Sequence, residues 1–266
     1  MQGAKVFGMS TVLYPSPVFG PVRSRRLGVS LGINLMPADG KVCSFDCVYC
    51  ECGLNAERRT RSKLPSREAV RVALERCLQK MLAEGDAPDV LTFAGNGEPT
   101  GHPDFLAIVK DTVGLRDRYF PDAKVAVLTN ATHIDRDDVR EALMLVDDNI
   151  VKLDTVSEAY VRRVNRPNVT YSVERQVALM ARFGGHAMVQ TMFMHGTVDG
   201  VDVSNVGDEY VVPWLEALRT IKPERVMIYT IARETPLQTL RKATPEELDG
   251  IVERIRALGI EAEASY

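Results

Sequence analysis

The 266-residue sequence contains five cysteines, and four of them, Cys43, Cys47, Cys50 and Cys52, fall within ten residues. Disulfide frameworks spread their cysteines along a chain to staple distant loops; a cluster of this kind points to metal or redox chemistry. The spacing Cys43-x3-Cys47-x2-Cys50 sets three thiolates on one short loop. They can reach three corners of a small iron–sulfur cluster and leave the fourth iron without a protein ligand. An open coordination position is what a cluster needs to bind a substrate or cofactor, as at catalytic zinc. The same three residues with Cys52 offer a second reading, a structural zinc site. Closing that site through Cys-x-Cys is awkward for a tetrahedron, and zinc motifs usually split into two separated pairs. Cys52 reads as an unligated neighbour and the isolated Cys77 as a core residue on an apolar helical stripe.

A loop of this kind has to be held by regular elements, and the chain alternates strand and helix. The apolar runs predict strands over Leu27–Asn34, Val90–Phe93, Lys124–Thr129, Asn149–Asp154, His186–Met194 and Arg225–Ile231, with a further one at Ile260–Ala264. Helical spacing lies between them. Ser66 reads as an N-cap ahead of Val70, Leu74, Cys77, Leu78 and Met81, and Thr244 with Glu247 reads as a capping box with Pro245 at the first helical position. Six such units predict an α/β fold, a partial (β/α)6 TIM-like barrel of parallel strands with helices outside. A closed eight-unit barrel of ~250 residues would need two more units. With no linker or composition break, the expectation is one domain over 1–266: a lead-in over 1–26, the barrel core over 27–231, and a C-terminal helix and strand over 232–266.

In parallel folds the site lies where the strands end. There the sequence places the cysteine loop, then Asn96, Gly97, Glu98 and Pro99, then Thr129 and Asn130, then Lys152 and Asp154. Gln190 and Tyr229 lie on the fifth and sixth strands. Lys152 and Asp154 are two apart and share a strand face; a salt bridge at a strand end is the plainer reading of the pair.

Composition narrows the function. Hydrophobic residues make up 45%, charged residues 26%, and the net charge is -3, which excludes a disordered chain and a strongly basic nucleic-acid module. No run approaches the ~18 apolar residues of a membrane span, and the first twenty residues carry no signal-peptide pattern, so the expected location is the cytoplasm. Basic residues gather locally, at Arg23, Arg25 and Arg26, at Arg58, Arg59, Arg61 and Lys63, and at Arg162, Arg163 and Arg166. Converging at the barrel mouth they would hold an anionic substrate or RNA; otherwise they are a solvated face.

The segment CSFDCVYC, with Tyr49 just ahead of the third cysteine, resembles the signature of the radical S-adenosylmethionine (SAM) superfamily. GNGEP, after the second strand, is similar to that superfamily's glycine-rich SAM-binding motif, and the six-unit barrel extends the resemblance over nearly the whole chain. GPVRSRRLGVSLGIN, VRRVNRP and YTIARETP resemble the branch of iron–sulfur oxidoreductases related to the wybutosine-synthesis enzyme. The resemblance implies that Cys43, Cys47 and Cys50 hold a [4Fe-4S] cluster whose open iron is chelated by SAM. Reductive cleavage of SAM then releases methionine and a 5'-deoxyadenosyl radical that takes hydrogen from a substrate. It implies SAM contacts at Tyr49, Asn96, Gly97, Glu98, Pro99, Thr129, Asn130, Lys152, Asp154, Gln190 and Tyr229, with Gly97 admitting the methionyl group. It also implies a flavodoxin or ferredoxin as low-potential electron donor. Only Cys52 and Cys77 remain for a second cluster, so one cluster is expected. The substrate is a small molecule, a nucleotide or RNA on one reading. On another it is a partner protein, as for activators of glycyl-radical enzymes. On a third the chain is a non-enzymatic zinc-binding scaffold.

Overall fold

The computed structural model describes residues 11–24 and 28–266; Arg25, Arg26 and Leu27 lie outside the described residues. The chain enters through β1 (Val18–Ser24), which pairs antiparallel with β2 (Gly28–Ile33). Four strands follow: β3 (Val90–Phe93), β4 (Lys124–Thr129), β5 (Asp148–Lys152) and β6 (Met188–Met192). Then come β7 (Met194–Val198), β8 (Val201–Asp202), β9 (Arg225–Tyr229), β10 (Leu240–Lys242) and β11 (Glu261–Ser265). The main sheet has the order β1-β2-β3-β4-β5-β6-β9-β11, parallel from β2 to β11. β1 and β11 are its edges, so it is an open partial barrel.

The helices are α1 (Arg67–Glu84), α2 (Phe105–Tyr119), α3 (Asp137–Leu145), α4 (Glu158–Tyr160), α5 (Val173–Ala181), α6 (Asp208–Ile221) and α7 (Pro245–Arg256). Ser66 caps α1 by accepting from the Ala69 amide, and Thr244 and Glu247 form the expected capping box of α7.

Alternation along each strand divides the core in two. Leu31, Ile33, Leu91, Phe93, Val125, Val127, Val151, Val189, Val226 and Ile228 face the helices. Burying each large one contributes about 1.5–3 kcal/mol. Val90, Ala126, Ile150, Met188 and Met227 point the other way and plug the lower end of the barrel. The inward positions above the plug, Ser30, Thr92, Lys152, Gln190 and Tyr229, are polar and line a cavity. The strand ends are therefore where a ligand can sit.

Two parts of the lead-in and of the expected fifth strand differ from the sequence reading. Pro17 and Pro21 argue against a strand, yet β1 forms, at an edge and with a register shift between Phe19 and Val22, where proline is tolerated. The run His186–Met194 does not continue as one strand. Asn205 inserts there: its Oδ1 accepts from Met194 N at 2.8 Å and its Nδ2 donates to Met192 O at 2.8 Å. The chain bends, and β7 joins β8 and β10 in a separate three-stranded antiparallel sheet.

Candidate functional site

The cavity at the strand ends measures about 560 Å³. Cys43, Cys47 and Cys50 lie on its wall, with Tyr49 between the last two. Gly97 and Glu98 face it from the turn after β3, Thr129 and Asn130 from the end of β4, and Lys152, Gln190 and Tyr229 from β5, β6 and β9. Asn96, Pro99 and Asp154 stand behind this wall. Cys52 also lines the cavity, buried, with its thiol 3.4 Å from Gly95 O. Cys77 sits half-buried on α1 against the edge of the core.

The cysteine loop has little regular structure, and its backbone is held from two sides. On one side Val42 bridges to Gly97: Val42 N donates to Asn96 O at 2.9 Å, and Glu98 N donates to Val42 O at 3.1 Å. Gly97 has φ +150°, and a Cβ there would stand 1.7 Å from Val42 O. Glycine is thus required for the approach of the cysteine loop itself, a reason the motif alone does not give. Asn96 braces this turn, its side chain bonding Tyr14 N and Tyr14 O at 2.8 Å and Pro37 O at 2.9 Å. On the other side lies VRRVNRP. Asp46 N and Val48 N donate to Asn165 O and Val164 O at 2.9 Å, and Asn168 Nδ2 donates to Cys43 O at 2.8 Å. Val161–Asn165 form a π-helical turn, a wide form that recurs at functional sites.

Asp154 is the hub behind the loop. It is buried and accepts from the Tyr49 hydroxyl, from Asn165 Nδ2 at 2.7 Å and from Met192 N at 3.0 Å. Lys152 Nζ lies 3.6 Å from it and donates to the hydroxyls of Tyr229 at 3.0 Å and Tyr49 at 3.2 Å. Burial alone would lower the Lys152 pKa; the charges of Asp154 and Tyr229 outweigh it and raise it. Burial, and then the adjoining Asp154, push the Tyr49 hydroxyl well up. Lys152 therefore offers the cavity a fixed ammonium, and Tyr49 stays a neutral phenol. Glu98 is also committed within the protein: its carboxylate accepts from the Thr100 amide and hydroxyl, from Thr129 Oγ1 at 2.6 Å and from Asn130 N at 2.7 Å. It ties the turn after β3 to the end of β4.

The thiols differ in their surroundings. Burial, reinforced by Glu98, pushes Cys43 up, and burial pushes Cys47 up to about 11. Cys50 goes the other way, lowered to about 6 by the hydrogen bond it receives from Cys52, with burial opposing and Lys41 assisting. Lys41, missed in the sequence, is buried, donates to Gly53 O at 2.8 Å and lies 3.6 Å from Asp46. Burial depresses its pKa, but the charges of Cys50, Cys43 and Cys47 outweigh this and raise it.

Residues 39–205 match the radical SAM superfamily. The chain belongs to that superfamily. It is 32% identical over 220 residues to a UPF0026 protein of Methanocaldococcus jannaschii, an overlap covering 81% of this chain and 63% of that one. A UPF0026 protein of Synechocystis is 31% identical over 237 residues, covering 83% of this chain and 77% of that protein. The chain thus spans a little under two thirds of the first of these relatives. Among solved structures, a radical SAM methyltransferase from Sphaerobacter thermophilus superposes with a TM-score of 0.65 at 16% identity, over 89% of this chain and 66% of that one. Archaeal TYW1 superposes with a TM-score of 0.52 at 10% identity, over 86% of this chain and 71% of that one. These likenesses carry the partial-barrel fold.

Members of the superfamily bind a [4Fe-4S] cluster and SAM. The residues present fit such a group. Three free thiols share one cavity with the buried Lys41 ammonium. Side-chain amides stand beside two of the sulfurs, Asn165 Nδ2 at 3.5 Å from Cys47 Sγ and Asn130 Nδ2 at 3.6 Å from Cys43 Sγ. Cation and N–H donors both favour thiolate, the form a metal ligand takes. Among the described residues no three His, Cys, Asp or Glu side chains converge on a single ion; a four-iron cluster takes one thiolate per iron and needs them spread along the wall.

Tyr14, Glu51 and Arg233 also line the cavity. Arg233, in YTIARETP, donates to the Tyr14 hydroxyl at 2.6 Å and to Glu51 at 2.7 Å, and Tyr14 donates to Glu51 at 2.9 Å. Burial and Glu51 raise the Tyr14 pKa to about 12. Of the basic groups named from the sequence, Arg23 is the one among the described residues that lines the cavity. Arg162 pairs with Glu158 and Arg166 with Asp199, while Arg59, Arg61 and Lys63 are exposed. Among the described residues, then, these basic groups do not gather on the cavity.

Proposed function

We propose that this protein is a radical SAM enzyme whose cluster is held by Cys43, Cys47 and Cys50 and whose SAM lies in the cavity at the strand ends. The cluster and SAM, when bound, supply the reductive cleavage and the 5'-deoxyadenosyl radical that takes hydrogen from a substrate. One observation carries the reading: the three thiols, the Gly97–Glu98 turn and the inward polar side chains of β4 to β9 line one cavity of a superfamily member. Gly97, Glu98, Thr129, Asn130, Lys152, Gln190, Tyr49 and Tyr229 serve as its SAM-facing wall. Asn96, Pro99 and Asp154 serve that wall from behind, by fixing the turn and holding Tyr49. Lys152 provides positive charge for a carboxylate. Apolar cover from Phe45, Met192 and Ile231 keeps water off.

Arg23 on the cavity wall supports an anionic substrate, a nucleotide or RNA among them. The electron donor is a flavodoxin or ferredoxin, the compartment the cytoplasm, and the 266 residues act as one catalytic domain. Among the described residues no helix is long and apolar enough to cross a membrane.

The test is anaerobic reconstitution followed by EPR of the dithionite-reduced protein, with and without SAM, and chromatography for 5'-deoxyadenosine and methionine. A [4Fe-4S]+ signal that changes with SAM is expected in the wild type and in Cys52→Ala, and is lost in Cys47→Ala. Bound zinc without sulfide would overturn the reading.

A further inference from the structure

We propose that Asn165 is a positioning residue for the cluster: its side-chain amide donates an N–H···S hydrogen bond to the Cys47 thiolate and raises the cluster's reduction potential. The inference rests on the reading of Cys47 as a cluster ligand.

VRRVNRP docks the cysteine loop through main-chain carbonyls, a task for which any side chain at 165 would serve. The asparagine side chain does something else. It is 2% exposed, and its Nδ2 has three acceptors in reach: Asp154 Oδ2 at 2.7 Å, the Tyr49 hydroxyl at 3.1 Å and Cys47 Sγ at 3.5 Å. The orientation of the amide follows from chemistry. An ionised carboxylate accepts and does not donate, so the nitrogen end must face Asp154. The same nitrogen therefore faces Cys47, and one of its two hydrogens points between Tyr49 and the sulfur. The Tyr49 hydroxyl already donates to Asp154 and accepts from Lys152 Nζ. A thiolate bound to iron carries negative charge and is the better remaining acceptor. Reduction adds a further negative charge to the cluster, so a donor on the ligand sulfur stabilises the reduced form more than the oxidised one. Water is excluded here, which strengthens the bond. The π-helical turn spans Val161–Asn165 and is closed by Arg166 N donating to Val161 O at 2.9 Å; it sets the asparagine against both the hub carboxylate and the loop.

The experiment compares wild type, Asn165→Leu and Asn165→Ala after anaerobic reconstitution. Iron and sulfide are assayed, and the cluster is titrated by EPR against solution potential in the absence of SAM. Leucine keeps the volume and removes the donor; alanine removes the donor with least crowding. Both variants are expected to load the cluster. At the wild-type midpoint their reduced-to-oxidised ratio is expected to fall about three- to tenfold, tenfold being ~59 mV for one electron. Tyr171→Phe, against Phe45 on the same side of the loop, leaves the midpoint unmoved. Unchanged midpoints in both loaded variants overturn the proposal and leave the cluster reading intact. If leucine does not load, alanine decides. If neither loads while circular dichroism shows the fold retained, Asn165 is structural and the proposal fails. A wild type that binds no cluster removes both readings together.

Discussion

Gly97→Ala tests whether the cysteine loop is held by its contact with the turn after β3. The added Cβ would sit 1.7 Å from Val42 O, against backbone that no rotamer change can move. Ordinary contact begins near 3.4 Å, so the loop must retreat by more than an ångström. Retreat breaks the hydrogen bonds from Val42 N to Asn96 O and from Glu98 N to Val42 O. Each contributes about 0.5–1.5 kcal/mol net. Alanine at φ +150° adds roughly 1–2 kcal/mol of backbone strain, so the total loss is on the order of 2–5 kcal/mol. For a chain of this size each kcal/mol moves Tm by roughly 2–4 °C. Calorimetry and iron content after reconstitution measure the two consequences. The variant is expected to melt several degrees lower and to hold less than half the wild-type iron. A Gly97→Ala protein that melts with the wild type and loads fully would refute the claim that this approach requires glycine.

Gly114 is the contrasting case: it lies inside α2 with open space where its Cβ would be. Gly114→Ala is expected to stabilise by about 0.5–1 kcal/mol, read as a rise in Tm with cluster loading unchanged. Glu247 closes the α7 capping box and lies 2.9 Å from His195 Nε2. Burial alone would raise its pKa, but the hydrogen bonds from His195 and the Thr244 amide outweigh this and hold it below the ordinary carboxylate value. A depressed carboxylate pKa stabilises above the ordinary range and ceases to as pH falls through the folded value. Glu247→Gln should therefore lower Tm at neutral pH, by no more than a screened pair's ~1 kcal/mol, and match the wild type in acid. A difference that persists or grows in acid would show the side chain acts by packing.

The parts of the site written in local spacing were legible from the sequence. Three cysteines on one loop, and a glycine turn after a strand, need only a few consecutive residues to be recognised. β3 and β4 begin and end as the apolar runs predict. β1 was obscured by its prolines and β7 by continuity with β6, because the bend depends on Asn205, whose role appears only once both strands are placed. Lys41 carries no local signal, and although Asn165 and Arg233 stand in segments that the sequence singles out, their partners are remote. Cys47 and Asn165 are 118 residues apart, and Arg233 and Glu51 are 182 apart. Lys152 and Asp154 were read as a pair on one face. The alternation held for Lys152, which faces the cavity, while Asp154, past the end of β5, turns behind Tyr49.

Those separations have a physical cause in the loop itself. Ten residues carrying four cysteines leave little room for internal hydrogen bonds, so the loop's backbone amides must find partners elsewhere. Asn96 O supplies one from the β3 side, and Val164 O and Asn165 O supply two from the π-helical turn. One clamp holds the loop just ahead of Cys43, and the other holds it on either side of Cys47. Losing either lets the cysteines shift while the other still holds part of the loop, so cluster loading should fall together with the melting temperature. The cysteine signature marks the candidate ligands, whereas GNGEP and VRRVNRP, remote from each other in sequence, hold the loop that carries them. That division accounts for all three segments standing out together in one chain.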